Sequence, residues 1–171
     1  PSERKKLTFE LTRDNITIKH VPYWGVDEDG IGYIRISKFS KNTAKDFSVA
    51  LKDLKDLDMK GLVVDLRKNS GGLLSNAINI LDKLTDRGVN LLKTRGRIKK
   101  SNKSMNSRRT PSIKPEIPIA VLINRSSASA SEIVAGVLQD LDRGVIIGTK
   151  SFGKGLVQSM YNLNDTTTLK V

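Results

Sequence analysis

Twice in this chain a short, almost wholly apolar run stops at a turn of small residues and passes into a segment of helical periodicity. The first instance is Gly61-Leu-Val-Val-Asp-Leu66, then Asn69-Ser-Gly-Gly72, then Leu73 to Leu84 with Leu74, Ala77, Ile78 and Leu81 on one face. The second is Ile119-Ala-Val-Leu-Ile123, then Asn124-Arg-Ser-Ser-Ala-Ser-Ala-Ser131, then a run with Ile133, Val134, Val137 and Leu138 on one face. Near-continuous apolar strands are those covered on both sides of a sheet. Strand–turn–helix repeated in this way predicts an α/β fold, a mainly parallel sheet joined by right-handed crossover helices. Sites in such sheets lie beyond the carboxyl ends of the strands, so the two turns are expected to meet at one edge.

The remaining elements fit around that pair. Leu7 to Val21 alternates loosely and reads as two short strands about Arg13-Asp-Asn15, closed by Pro22. An acidic turn, Asp27 to Gly30, leads to a strand Ile31–Ile36. Asn42-Thr43 opens a helix, with Asp46 at the capping-box offset from Thr43 and Phe47, Ala50, Leu51 and Leu54 forming its apolar face. A short strand spans Val89 to Lys93, and strands are expected at Val145–Gly148, Leu156–Leu163 and Thr166–Val171.

Composition narrows the chemistry. With no cysteine, disulfides and thiolate catalysis are excluded, and the single histidine, His20, disfavours histidine-rich metal sites. No run of eighteen apolar residues offers a membrane span. The net charge of +12 suggests nucleic acid, but nine Lys/Arg and no Asp/Glu fall between Lys93 and Lys114, and the rest of the chain carries only +3. That stretch has no aromatic residue to stack on bases, so no nucleic-acid partner is expected. It reads first as a solvated, mobile loop and second as an arm for an anionic partner.

Several catalytic patterns can be weighed. Gly148-Thr-Lys-Ser-Phe-Gly-Lys154 has phosphate-loop spacing, but the next residue is Gly155 rather than Ser or Thr, and no helical stripe follows. A Ser-His-Asp triad would need His20, which lies far in sequence from the serines and reads as an ordinary strand residue. Asp65 and Arg67, at the end of the central strand, read as a structural pair. Four serines, Ser126, Ser127, Ser129 and Ser131, stand where the second helix begins, and free N–H groups and the positive helix end there favour an oxyanion. Glu132, three residues after Ser129, sits at the capping-box offset, so Ser129 could serve only as an N-cap. A serine nucleophile needs a base. Lysine is ordinarily protonated, with a pKa of ~10.4, and burial among apolar groups lowers that by about three pH units or more. Lys154, in Phe152-Gly-Lys-Gly-Leu-Val157, is flanked by glycines and apolar residues and is the candidate. Residue chemistry alone leaves open which serine it would serve.

Three segments, Gly61 to Leu74, Ser127 to Gly136 and Ser151-Phe-Gly-Lys-Gly-Leu-Val-Gln158, resemble in order and separation the carboxyl-terminal processing (tail-specific) peptidases, which are serine–lysine endopeptidases. The resemblance runs from about Leu7 to Val171. It implies the crotonase/Clp-like peptidase core over residues 23–171, and residues 1–22 as remnant β-strands of a PDZ domain. It implies Ser129 as nucleophile, Lys154 as general base, Gln158 as the residue orienting that lysine, and backbone N–H groups of Gly72 and Ala130 as the oxyanion hole. It also implies protein or peptide substrates with accessible C-terminal tails, no metal or organic cofactor, and a periplasmic or cell-envelope location. The other function class in play is a non-catalytic binding module on the same fold, using the basic 93–114 stretch for an anionic partner.

Overall fold

A computed structural model describes residues 8–14 and 18–171. The central sheet has five strands: β1 (Tyr23–Val26), β2 (Ile31–Arg35), β3 (Gly61–Asp65), β6 (Ile119–Ile123) and β7 (Val145–Gly148), in the order β1-β2-β3-β6-β7. β1 runs antiparallel to β2, and the other three pairings are parallel. Three helices make the crossovers: α1 (Thr43–Asp56), α2 (Leu74–Leu84) and α3 (Ala130–Asp140). Two hairpins lie outside this sheet, β4 (Asn90–Thr94) with β5 (Lys103–Asn106), and β8 (Met160–Asn162) with β9 (Thr168–Lys170). The expected α/β architecture with a mainly parallel sheet is therefore present.

The core follows the apolar pattern. Phe47, Ala50, Leu51 and Leu54 of α1, Leu62 and Val64 of β3, and Val121 of β6 are buried together. Full burial of each large side chain contributes about 1.5–3 kcal/mol. The face of α2 is turned from the expected one: Ala77, Ile80, Leu81 and Leu84 are buried, while Leu74 and Ile78 are only partly so. α2 also packs on α3, and its buried Asn76 uses Oδ1 to accept the N–H of Ala44 at the start of α1 (2.9 Å).

Several local expectations are corrected. Thr43 does not cap through Asp46. Its hydroxyl donates to the Lys38 carbonyl (2.9 Å) and accepts from the N–H of Ser40 (2.9 Å), because it is buried against that preceding loop. β1 is an unforeseen strand. It lacks strict alternation, yet the Trp24 indole N–H reaches Asp53 of α1 (3.0 Å) and its backbone completes the edge of β2. The two strands expected over Leu7 to Val21 are absent from its described residues, 8–14 and 18–21, where no partner strand is present; 1–7 and 15–17 lie outside the described residues. The strand expected at Leu156–Leu163 shortens to Met160–Asn162 because it pairs only with β9, and both lie exposed.

The stretch from Lys93 to Lys114 is a rooted hairpin instead of a loose loop. Ser107, 4% exposed, donates through its hydroxyl to the Asp86 carbonyl and accepts the N–H of Val89 (3.1 Å). The Asp82 carboxylate at the end of α2 accepts the N–H groups of Arg108 and Arg109. Charged groups seldom sit this close to a core without such partners.

Arg143, in the turn between α3 and β7, holds three separate carbonyls: Leu84 at the end of α2 (3.1 Å), Ile117 (3.0 Å) and Lys114 (3.3 Å). Replacing it with alanine should cost about 2 kcal/mol in urea unfolding, since helix and loop carbonyls lose a charged donor. Arg143→Lys should recover only part of this, because one ammonium cannot reproduce the guanidinium fork.

Candidate active site

Parallel pairing of β3 with β6 brings both small-residue turns to the same sheet edge. They are locked by Asn69, which is fully buried. Its carbonyl accepts the N–H of Ala128 (3.0 Å) and the hydroxyl of Ser131 (2.9 Å), while its side chain donates to the Ile36 carbonyl (2.9 Å) and accepts the N–H of Gly71 (2.9 Å). The approach is close enough to require glycine. A Cβ on Gly71 would stand 2.6 Å from the Ala128 carbonyl and 2.9 Å from the Ser129 Cβ, and one on Gly72 would stand 2.0 Å from the Phe39 carbonyl. Both glycines have positive φ, 95° and 144°.

The four serines are not equivalent. Ser127 and Ser131 are fully buried and committed to structure, Ser127 donating to the Leu66 carbonyl (2.8 Å) and Ser131 to that of Asn69. Ser126 is exposed on the turn. Ser129 is half-buried at the N-cap of α3 with φ 55° and ψ −113°, a conformation that side chains other than glycine rarely adopt. Such strain persists only where neighbours over-determine it, and it gathers at functional sites. Among the described residues, the N–H groups of Ala130 and Gly72 have no protein acceptor; around Gly72 the flanking pairs are Phe39 N–H to Gly71 O and Leu73 N–H to Phe39 O. Two free donors thus flank a strained serine at a helix N-terminus.

The expected Ser129–Glu132 capping box forms, with the Ser129 N–H donating to Glu132 Oε2 (2.7 Å). Glu132 does more than the spacing foretold. The same oxygen accepts the N–H of Lys154 (2.9 Å), and Oε1 accepts the Ser151 hydroxyl (2.7 Å) and the N–H of Gly153 (2.6 Å). One carboxylate therefore bridges the serine turn and the lysine loop, and Phe152 N–H to Ser127 O (3.0 Å) adds a second link. Burial pushes the Glu132 carboxyl up, but the four donors together outweigh it and hold it below the ordinary carboxylate range. Neither Ser151 nor this bridging role was singled out in the sequence. The only signal was the offset of Glu132, and its reach to the lysine loop depends on tertiary placement.

Lys154 Nζ donates to Gln158 Oε1 (3.0 Å), the two residues that the motif pairs. No hydrogen bond joins the Ser129 hydroxyl to Lys154 Nζ among the described residues. The apolar shelter expected for the amine is not formed by its sequence neighbours: Phe152, Leu156 and Val157 are exposed. His20 engages the fold through its backbone carbonyl, which accepts the Ser37 N–H (2.8 Å) and hydroxyl (3.2 Å), and no hydrogen bond joins its side chain to Ser129 among the described residues. Asp65, 1% exposed, takes the Arg67 guanidinium through both oxygens (3.0 and 2.8 Å) and the Tyr33 hydroxyl (2.5 Å), which is the structural pairing expected. Burial raises its carboxyl, and these donors more than offset that, leaving it lowered. Among the described residues no group of His, Cys, Asp and Glu could hold a metal ion.

Comparison with known proteins decides the family. Residues 30–171 match peptidase family S41. The chain belongs to that family. A carboxy-terminal-processing protease of Bartonella bacilliformis is 44% identical over 98% of this chain, and a chloroplastic C-terminal processing peptidase of Tetradesmus obliquus is 35% identical over 96%. The chain spans 38% and 37% of the length of these two relatives. A solved photosystem II D1 C-terminal processing protease superposes with TM-score 0.73 at 32% identity, over 94% of this chain and 44% of that one. The α/β fold, with its mixed sheet and three helices, thus matches that of S41 proteases.

The Glu132 clamp makes a pH prediction. A carboxyl lowered by folding contributes stability that is present above its unfolded value, near 4.5, and is lost as pH falls through the folded one. Stability measured by urea unfolding should therefore fall on acidification below about 4.5. Glu132→Gln should flatten part of that acid limb and lower stability at pH 7 by about 1–3 kcal/mol, because an amide has one acceptor oxygen for four donors.

Proposed function

We propose that this S41 chain is the catalytic core of a serine endopeptidase of the carboxyl-terminal processing type, acting by a Ser–Lys acyl-enzyme mechanism. The observation that carries the proposal is the strained Ser129 at the N-terminus of α3 with the unclaimed N–H groups of Ala130 and Gly72 beside it. Strain of this kind is the geometry of a nucleophile elbow, where the serine is raised above a strand-to-helix turn.

The steps follow from that arrangement. Lys154, as the free amine, takes the Ser129 proton while the hydroxyl oxygen attacks the substrate's peptide carbonyl. The C=O electrons move onto oxygen, and the resulting oxyanion is held by the Ala130 and Gly72 N–H groups and the helix dipole. Collapse breaks the C–N bond, and the lysine ammonium returns its proton to the leaving amine. Water then adds to the acyl-enzyme and releases the new carboxyl end and Ser129. Gln158 orients the amine through its hydrogen bond, and Glu132 holds the lysine loop against the serine turn. Because Lys154 and Ser129 are not hydrogen-bonded to each other, the loop must move inward, or substrate must close the gap, before proton transfer.

The substrates of this proposal are polypeptides with accessible C-terminal tails. The same proposal divides the chain into a PDZ remnant, residues 1–22, and the peptidase core, residues 23–171. It places the protein in the periplasm or cell envelope, in keeping with its bacterial processing-protease relatives. Among the described residues no helix is long and apolar enough to cross a membrane.

Hydrolysis of an unfolded, dye-quenched protein substrate tests the assignment. Ser129→Ala should lower kcat by about 10³-fold or more, and Lys154→Ala by about 10²–10⁴-fold, both with folding retained by circular dichroism. Equal turnover by parent and Ser129→Ala would reject the nucleophile. Gly72→Ala should be inactive and less stable, since its Cβ has no room beside Phe39.

A further inference from the structure

We propose that the basic β4–β5 hairpin is a substrate-selecting element that favours acidic polypeptide segments; this rests on the peptidase proposal and extends it. The starting observation is a groove of about 340 Å³ between β4 and α3, lined by Leu92 and Lys93 on one wall and by Ile133, Gly136 and Val137 on the other. It follows α3 from Glu132 in the first turn to Leu141 past the last, so one end opens on the carboxylate that joins Ser129 to Lys154. Gly136 leaves this channel open, since a Cβ there would meet nothing within 4 Å.

The charge begins at Lys93, on the strand that forms the wall, and continues past the end of that strand. β4 continues through Lys93 into Arg95, Arg97, Lys99 and Lys100 before β5 returns at Lys103. These six cations are exposed and form no ion pair among the described residues; within the 93–114 stretch only Arg109 does, with Asp82. Two carboxylates also line the groove, Glu132 and Asp140, and the six cations outnumber them. Glu132 is already occupied by four donors, and Asp140 sits near the other end of α3. The hairpin is fixed by Ser107 and Asp82, so the charges are presented from an ordered base. An extended peptide whose apolar side chains meet Leu92, Ile133 and Val137 and whose acidic side chains meet these cations satisfies both features at once. Nucleic acid fits less well, because the stretch from Lys93 to Lys114 has no aromatic residue for base stacking.

The Ser129→Ala form of the chain allows binding to be read without turnover. Its affinity is measured by fluorescence anisotropy for a labelled twelve-residue peptide bearing four Glu among Leu and Ala, and for the same peptide with Gln at those positions. The Glu peptide should bind about tenfold tighter at low salt, and 0.5 M NaCl should remove most of the difference. Arg95→Gln, Arg97→Gln, Lys99→Gln and Lys100→Gln combined should bring the two peptides level. Gly136→Leu, which fills the groove, should weaken both peptides. Equal binding of the two peptides by the parent overturns the proposal. So does unchanged Glu-peptide binding in Gly136→Leu. Tighter binding of a single-stranded oligonucleotide, or of vesicles containing phosphatidylserine, than of the Glu peptide also overturns it. Failure of the serine–lysine chemistry is read separately, as turnover that survives Ser129→Ala, and leaves these binding outcomes intact.

Discussion

Asn69 is the constraint on which the site depends. It is fully buried in the turn after β3, and through one carbonyl and one amide it holds three different segments: the serine turn, the Gly71 N–H and the end of β2. A buried amide is tolerated only with its partners satisfied, and satisfying Asn69 fixes where the Gly71-Gly72 turn lies against Ala128 to Ala130. The contact is so close that Cβ atoms are excluded from both glycines. Among the described residues the N–H groups of Gly72 and Ala130 are left without a protein acceptor, and Ser129 has positive φ. Strain, unpaired donors and hydroxyl are gathered where these turns meet.

Glu132 extends that arrangement to a third segment. Its position in the first turn of α3 suits a carboxylate, because helix N–H groups and dipole favour negative charge there. Once placed, its two oxygens gather Ser151, Gly153 and Lys154 as well as Ser129. The lysine loop has no regular structure, its φ at Gly153 is 90°, and most of its side chains are exposed. A carboxylate with four donors is what holds such a loop near the sheet edge, and acid weakens it for the same reason that it stabilises at neutral pH.

The basic hairpin shows how a charge run can be misjudged from composition. Nine cations without a single acid describe a solvated loop if the backbone is free. Here Ser107 and Asp82 tie the stretch to the end of α2, and β4 becomes a wall of the groove along α3. The residues that read as a mobile arm include an ordered hairpin whose first strand lines that groove.

Much of this was legible in order along the chain. The apolar runs at Gly61–Leu66 and Ile119–Ile123, each ending in small residues before a helical stripe, determined parallel strands, crossovers and a shared edge, because periodicity and burial are local properties. The capping offset of Glu132 and the pairing of Lys154 with Gln158 were also local, four residues apart or fewer. Tertiary structure alone decided what depends on distant chain segments meeting. It turned α2 toward Ile80 and Leu84, recruited Tyr23–Val26 as an edge strand through Trp24 and Asp53, and diverted Thr43 from capping to the preceding loop. It buried Ser127 and Ser131 while leaving Ser129 strained and half-exposed, a distinction among identical side chains that no spacing carries. It also gave Glu132 its second task, because hydrogen-bond partners twenty residues away are chosen by packing and not by sequence interval.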